Sequence, residues 1–233
     1  MGAIFHYCRT ENRQPAENKT ASPQTPKPMH LTGTNIEPTH SLAPILQRWS
    51  EFMEDSTWGN DDCPWWYNER ASISQLAGAI WDRGGWAFEE FSDTKRTPEA
   101  LSFQGRVDLM FWTSRERNGP QYIAEAKLCW PKLRSARLQE TVESAFRSAT
   151  LDTQKITSHR GRYEKLALVF IAPVIPLKFS TLTNPKIHAL IETMKRRPDT
   201  HAAWHFRLHQ NIPKHNNYLY PGVILGVHPV AHR

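Results

Sequence analysis

Apolar residues recur at helical spacing from position 42 onward. Leu42, Ile45, Leu46 and Trp49 fall three or four residues apart, which predicts a short helix running towards Met53. A second stripe, Ile73, Leu76, Ala77 and Ile80, predicts a helix over about 67–83, stopped by Gly84-Gly85. Strand-like segments follow at 86–91, at 107–112 behind Gly105-Arg106, and at 122–130 behind the turn Asn118-Gly119-Pro120. A basic helical stretch spans about 135–157. The run 166–172 is nearly all apolar, as a strand covered on both faces would be. A further helix is predicted over 185–197, with Ile187, Leu190, Ile191 and Met194 inward, followed by strands at 203–209 and 222–228. Helix, three strands, helix, strand, helix, strand, strand is the order of an α/β fold, a mixed β-sheet flanked by helices.

Two segments stand outside this pattern. Residues 1–40 carry five prolines among Asn, Thr, Gln, Ser and Lys. Such a segment buries too little apolar surface to offset its ordering entropy, so a Pro-rich, disordered N-terminal tail is expected ahead of a single domain at 41–233. Between Glu51 and Glu69 there are six acids and no base, with Gly59 and Pro64 as breakers. That predicts a solvated loop, held down by Trp58, Trp65 and Trp66.

Composition narrows the class. The chain has 233 residues and is 39% hydrophobic, enough for one packed core. No apolar run is long enough for a membrane helix, and the start lacks the apolar stretch of a secretory signal, so a cytoplasmic protein is expected. Cys8, Cys63 and Cys129 are odd in number and far apart, which argues against a disulfide framework or a cysteine zinc site. Lys and Arg number 29 against 23 Asp and Glu, a formal charge of +6. The resulting pI of about 9.3 makes nucleic acid the first partner to consider.

The candidate chemistry lies in the middle strands. In 107–112, Val107, Leu109 and Phe111 alternate with Asp108 and Met110, and in 122–130, Glu125, Lys127 and Cys129 share one face. If these strands pair, Asp108 meets Glu125 and Lys127 across the ladder. Glu69 lies four residues before Ile73, seven before Leu76 and eleven before Ile80, so it extends the stripe facing the sheet. A buried acid there is costly without a cation or a donor, and a divalent metal shared with Asp108 and Glu125 would serve.

Gly105-Arg106-Val107-Asp108-Leu109, with sixteen residues between Asp108 and the following Glu125-Ala126-Lys127, resembles the core motif of the PD-(D/E)XK nuclease superfamily. Glu69-Arg70 with Leu76, Ile80 and Gly85-Trp86 is similar to the first helix of its Holliday-junction-resolvase and restriction-endonuclease-like members. The element order matches that family's αβββαβ core over roughly residues 65–172. Val107 stands where the family often has proline. The resemblance implies a restriction-endonuclease-like fold and metal-assisted phosphodiester hydrolysis, with DNA favoured over RNA, in restriction, antiviral defence or repair. It further implies Mg²⁺, replaceable by Mn²⁺, on Asp108, Glu125 and the Ala126 carbonyl, with Glu69 completing the shell. Lys127 would stabilise developing charge, with orienting or deprotonating the attacking water as a further role; Gln154 would approach the phosphate from the following helix. A non-catalytic nucleic-acid-binding or assembly module that kept the fold is the alternative. A homodimer or larger complex is compatible with either.

Positive charge gathers beyond the motif. Residues 132–165 hold eight bases and four acids. Lys132, Arg134, Arg137, Arg147, Lys155, Arg160 and Arg162, with Arg106 nearer the motif, are the expected phosphate contacts. His201, His205 and His209 are four apart, but the alternation of Trp204-His205-Phe206-Arg207-Leu208 puts the histidines with Arg207 on the outer face of a strand, so a metal site is not expected there.

Overall fold

The chain, described by a computed structural model over residues 29–55, 62–97, 99, 101–116, 119–157, 163–182, 184–208 and 212–231, threads its elements through one large and one small sheet. In order they are β1 (Met29–Thr34), α1 (Ala43–Asp55), α2 (Glu69–Asp82), β2 (Trp86–Arg96), β3 (Ser102–Trp112), β4 (Gln121–Cys129), α3 (Leu138–Gln154), β5 (Glu164–Ile171), β6 (Ile175–Pro176), α4 (Asn184–Lys195), β7 (His201–Leu208), β8 (Lys214–His215), β9 (Tyr218–Leu219) and β10 (Gly222–Val230). The large sheet runs β1-β7-β10-β5-β4-β3-β2 and the small one β6-β9-β8. In the large sheet β4 and β5 are parallel, joined by α3, and the other pairs are antiparallel. Among the described residues the fold is therefore α/β, with a mixed seven-stranded sheet and four α-helices. No helix among the described residues is long and apolar enough to cross a membrane.

Each face of the sheet has its own core. Leu46 and Trp49 of α1 and Ile73, Leu76 and Ile80 of α2 pack with Leu109, Phe111, Ala124, Ala126 and Leu168 on one side. Val142 and Phe146 of α3 and Ile187, Leu190 and Met194 of α4 pack with Ala167, Val169, Trp204 and Ile224 on the other. β5 contributes to both, which is why its sequence is apolar at nearly every position. Asn68 starts α2, its side chain accepting the Ala71 amide at 2.9 Å. Gly84, at φ +80°, ends it, and Gly85 comes so near the Trp112 carbonyl that a Cβ there would clash.

Three expectations change. The polar N-terminal segment does not extend to residue 40: β1 pairs with β7 from Met29↔Leu208 to Thr34↔Ala203, and Ile36 is buried. Residues 1–28 lie outside the described residues. β2 continues past Phe91 to Arg96 because its inward positions there are Asp93 and Lys95, buried but polar, so no apolar alternation marks them. Finally, His205 is not on an outer face. β1 makes β7 an interior strand, and the Pro64–Trp66 turn covers it, so His205 and Arg207 are buried. The His205 ring lies 5.7 Å from that of Trp65 and accepts or donates one bond, to the Thr32 hydroxyl at 3.1 Å. His201 is half-buried, and His209 falls outside the described residues.

Candidate active site at a fork between two strands

β3 pairs with β4 only from Trp112↔Gln121 to Leu109↔Ala124, yet it stays paired with β2 as far as Ser102↔Arg96. The two central strands therefore part at Asp108. Alternate residues of a strand direct their amides to the same neighbour, so Ala126 and Leu128 of β4 present N–H groups to a partner that has turned away. Carboxylates replace that partner. Asp108 Oδ2 accepts the Ala126 amide at 2.8 Å, and Glu69 Oε2, from the first turn of α2, accepts the Leu128 amide at 3.0 Å. Burying those amides unpaired would cost about 1–3 kcal/mol each, so both acids also close the sheet.

Glu125 and Lys127 occupy the α3 side of β4. Glu125 pairs with Lys95 of β2 at 2.7 Å, both side chains at or below 10% exposure. Lys95 also donates to the Arg106 carbonyl. Lys127 reaches Asp152 of α3 at 3.0 Å, and Asp152 also takes Lys155 at 2.7 Å. The expected cluster of Glu69, Asp108, Glu125 and Lys127 is thus assembled around the fork. Two partners escaped the sequence pattern, Lys95 and Asp152. Lys95 sits in the polar half of β2, and Asp152 looks like half of a surface i,i+3 pair with Lys155.

Electrostatics tie the cluster together. Burial, then the neighbouring Asp108 charge, pushes the Glu125 carboxyl up to about 7. Burial also raises Asp108 and Glu69, against the pull of Ala126 and Lys127 respectively. For Lys127, burial works against the charge, but Asp152, Glu69 and Asp108 outweigh it and hold the ammonium above its ordinary value. The site accordingly combines one firmly charged ammonium with three acids reluctant to ionise together.

Does this set suit a divalent cation? Its donors are hard oxygens, and a dication would offset the burial, and then the Asp108 charge, that raise the Glu125 carboxyl to about 7. Asp108 and Glu125 supply oxygens of that kind, and the Asp108 charge is felt at Glu125. Among the described residues no three His, Cys, Asp or Glu side chains converge on one point, because Glu125 is turned to Lys95 and Glu69 to Leu128. Ala126 enters through its amide, bonded to Asp108. Gln154 closes α3 and makes no hydrogen bond to Asp108, Glu125 or Lys127; the residue of that helix on Lys127 is Asp152.

The expected phosphate contacts divide. An open groove of about 460 Å³ beside Lys127 is lined by Arg137, Glu140, Thr141, Ser144 and Ser148 of the α3 side, so Arg137 adjoins the site. Arg147 is exposed on α3, Lys132 is exposed beyond β4, and Arg134 lies 4.4 Å over the Phe179 ring. Lys155 is paired with Asp152, and Arg106, with Arg70, is paired with Glu90. Arg160 and Arg162 lie outside the described residues. No protein-family model, curated protein or solved structure matches this chain.

Proposed function

We propose that this protein is a metal-dependent nuclease that hydrolyses phosphodiester bonds in DNA, built on a restriction-endonuclease-like, PD-(D/E)XK-type core. The observation that carries the reading is the fork at Asp108, where Asp108, Glu69, Glu125 and Lys127 gather around the end of one strand ladder. Buried acids and an ammonium that are expensive as mere structure are what phosphoryl chemistry uses.

Asp108 and Glu125 would hold Mg²⁺ or Mn²⁺, with the Ala126 carbonyl and Glu69 adjacent. When bound, the ion polarises the phosphate and acidifies a coordinated water. The chain's own contribution is the following. Lys127, kept charged by Asp152, stabilises negative charge developing on a phosphate oxygen. Its charged state supports an electrostatic role over that of a base. Asp108 and Glu69, anchored on the Ala126 and Leu128 amides of β4, keep their remaining oxygens at the fork. Arg137, with the groove beside Lys127, offers a path for the polynucleotide backbone.

One observation favours the module reading, in which the fold binds nucleic acid without cutting it: Glu125 already has a full cation partner in Lys95. Incubating the protein with supercoiled, linear and single-stranded DNA and with RNA, in Mg²⁺, Mn²⁺ or chelator, separates the two. Metal-dependent cutting of DNA supports the nuclease; tight binding without cutting under every condition supports the module.

A further inference from the structure

The face of the sheet that carries the site is not covered along its whole length. α3 packs over β4 and β5, and beyond them the start of the β2–β3 ribbon stands open. In the antiparallel register Trp86 faces Trp112 and Phe88 faces Met110, and Met110 in turn faces Ile123. Directly opposed residues share a face, so these side chains lie on the side of Ile123 and Glu125, with Trp112 four residues and about 13 Å along β3 from Asp108. Trp86 and Phe88 are 42% and 46% exposed, unusual for large rings beside a well-filled core.

They border a cavity of about 190 Å³ whose lining is Trp86, Phe88, Trp112, Ser114, Arg115 and Glu116. The composition is informative. Among the described residues it holds none of the aliphatic side chains that an ordinary protein-docking groove would have. Phe88 meets Trp112 edge to face at 5.8 Å, and the Trp86 ring lies between the Arg115 guanidinium, 5.7 Å over it, and the exposed Trp81 ring of α2 at 5.3 Å. Ser114 and Glu116 add a hydroxyl and a carboxylate, groups that bond the edges of bases. Flat π faces, a guanidinium and edge-bonding groups are the chemistry of stacking an unpaired base.

We propose that Trp86, Phe88, Trp112 and Arg115 form a stacking platform for unpaired nucleobases of a single-stranded DNA segment whose backbone continues to the site at Asp108. The proposal rests on the nuclease reading for the direction of the strand, and it sharpens that reading by naming the substrate class as DNA with a single-stranded portion. A blunt duplex, its bases stacked on each other, gains nothing from the platform.

The test is binding of a fluorescent oligothymidylate, and of a blunt duplex, to the full-length protein in chelator, where cutting is not required. Phe88→Ala and Trp86→Ala are each expected to weaken single-strand binding roughly five- to a hundredfold while leaving duplex binding unchanged. Trp86→Phe, which keeps a ring, should retain most of the affinity, and circular dichroism confirms that the exposed substitutions leave the fold intact. Unchanged single-strand binding in both alanine variants overturns the proposal. So does an equal loss on the duplex, absence of single-strand binding in the wild type, or a wild-type dimer that Phe88→Ala dissociates in sedimentation, since the patch would then bind a second copy. Ring-dependent binding by a protein that cuts nothing upholds the platform and sinks the nuclease; cutting with ring-independent binding does the reverse.

Discussion

Asp108 accepts the backbone amide of Ala126 at 2.8 Å at the point where β3 leaves β4. One carboxylate therefore has two jobs, closing an interrupted ladder and presenting an acid at the fork. The two separate by substitution. Asp108→Ala removes both and is expected to cost about 1–3 kcal/mol of stability. Asp108→Asn keeps an acceptor for Ala126 and should lose less. Both should be without nuclease activity, as read by urea unfolding alongside plasmid cleavage.

Lys95 and Glu125 form a buried pair, and removing one member leaves the other unbalanced. Lys95→Met should destabilise the protein by about 3–5 kcal/mol near pH 8. The deficit should shrink near pH 5, where Glu125 can take a proton instead. In Lys95→Met/Glu125→Gln most of the stability should return. Urea unfolding of the three variants at both pH values checks this; equal deficits at the two pH values would disconnect the pair from Glu125 titration.

Glu125 also gives a pH signature of its own. Its carboxyl is raised from 4.5 to about 7 in the folded chain, by burial and then by Asp108. Between those values the folded chain holds a proton that the unfolded chain has released. Its contribution to stability is thus complete below pH 4.5 and is lost as pH rises through about 7, amounting to at most about 3 kcal/mol. Wild type minus Glu125→Gln, by thermal unfolding from pH 4 to 8, should show that slope. Mg²⁺ added at pH 8 should stabilise wild type more than Glu125→Gln, and more than it does at pH 5.

Opposite in sign is His205, fully buried and pushed down to about 3, by burial first and then by His30 and Arg207. An unfolded histidine binds its proton near 6.5. The stability that neutral His205 provides is therefore complete above pH 6.5 and falls away as pH drops towards 3. Half-buried His30 and His201, both lowered by burial first, act in the same direction. His205→Phe should flatten the acid side of the stability profile, although it gives up the Thr32 bond.

Asp152 holds Lys127 in place and in charge. Asp152→Asn should lower kcat roughly tenfold with little change in KM, since it acts through Lys127. The pH–rate profile should lose its alkaline limb at a lower pH than in wild type. A KM effect alone would place Asp152 in substrate binding instead.

The sequence was most legible where burial and secondary structure agree. Apolar periodicity located α1, α2 and α4, a continuous apolar run located β5, α3 was legible only as a basic helical stretch, and the motif spacing put Asp108, Glu125 and Lys127 on facing strands. Glu69 was readable because it continues the Ile73, Leu76 and Ile80 stripe. What stayed hidden has a common cause: polar groups buried against each other. Asp93 and Lys95 are inward without being apolar, so neither the second half of β2 nor the partner of Glu125 could be seen. β1 is short and polar at alternate positions, with Thr32 and Thr34, and its pairing with β7 is a long-range contact that no local pattern records. The same missing strand misplaced His205, since an edge strand has an outer face and an interior one here does not.

The most direct test of the central claim compares wild type, Asp108→Ala and Lys127→Ala in Mg²⁺-dependent cleavage of DNA carrying a single-stranded segment, with DNA binding measured on the same preparations. Cleavage by wild type alone, lost in chelator and lost in both variants while folding and binding persist, is the predicted result. Cleavage that survives both substitutions would contradict the account, because the chemistry would then lie away from the fork.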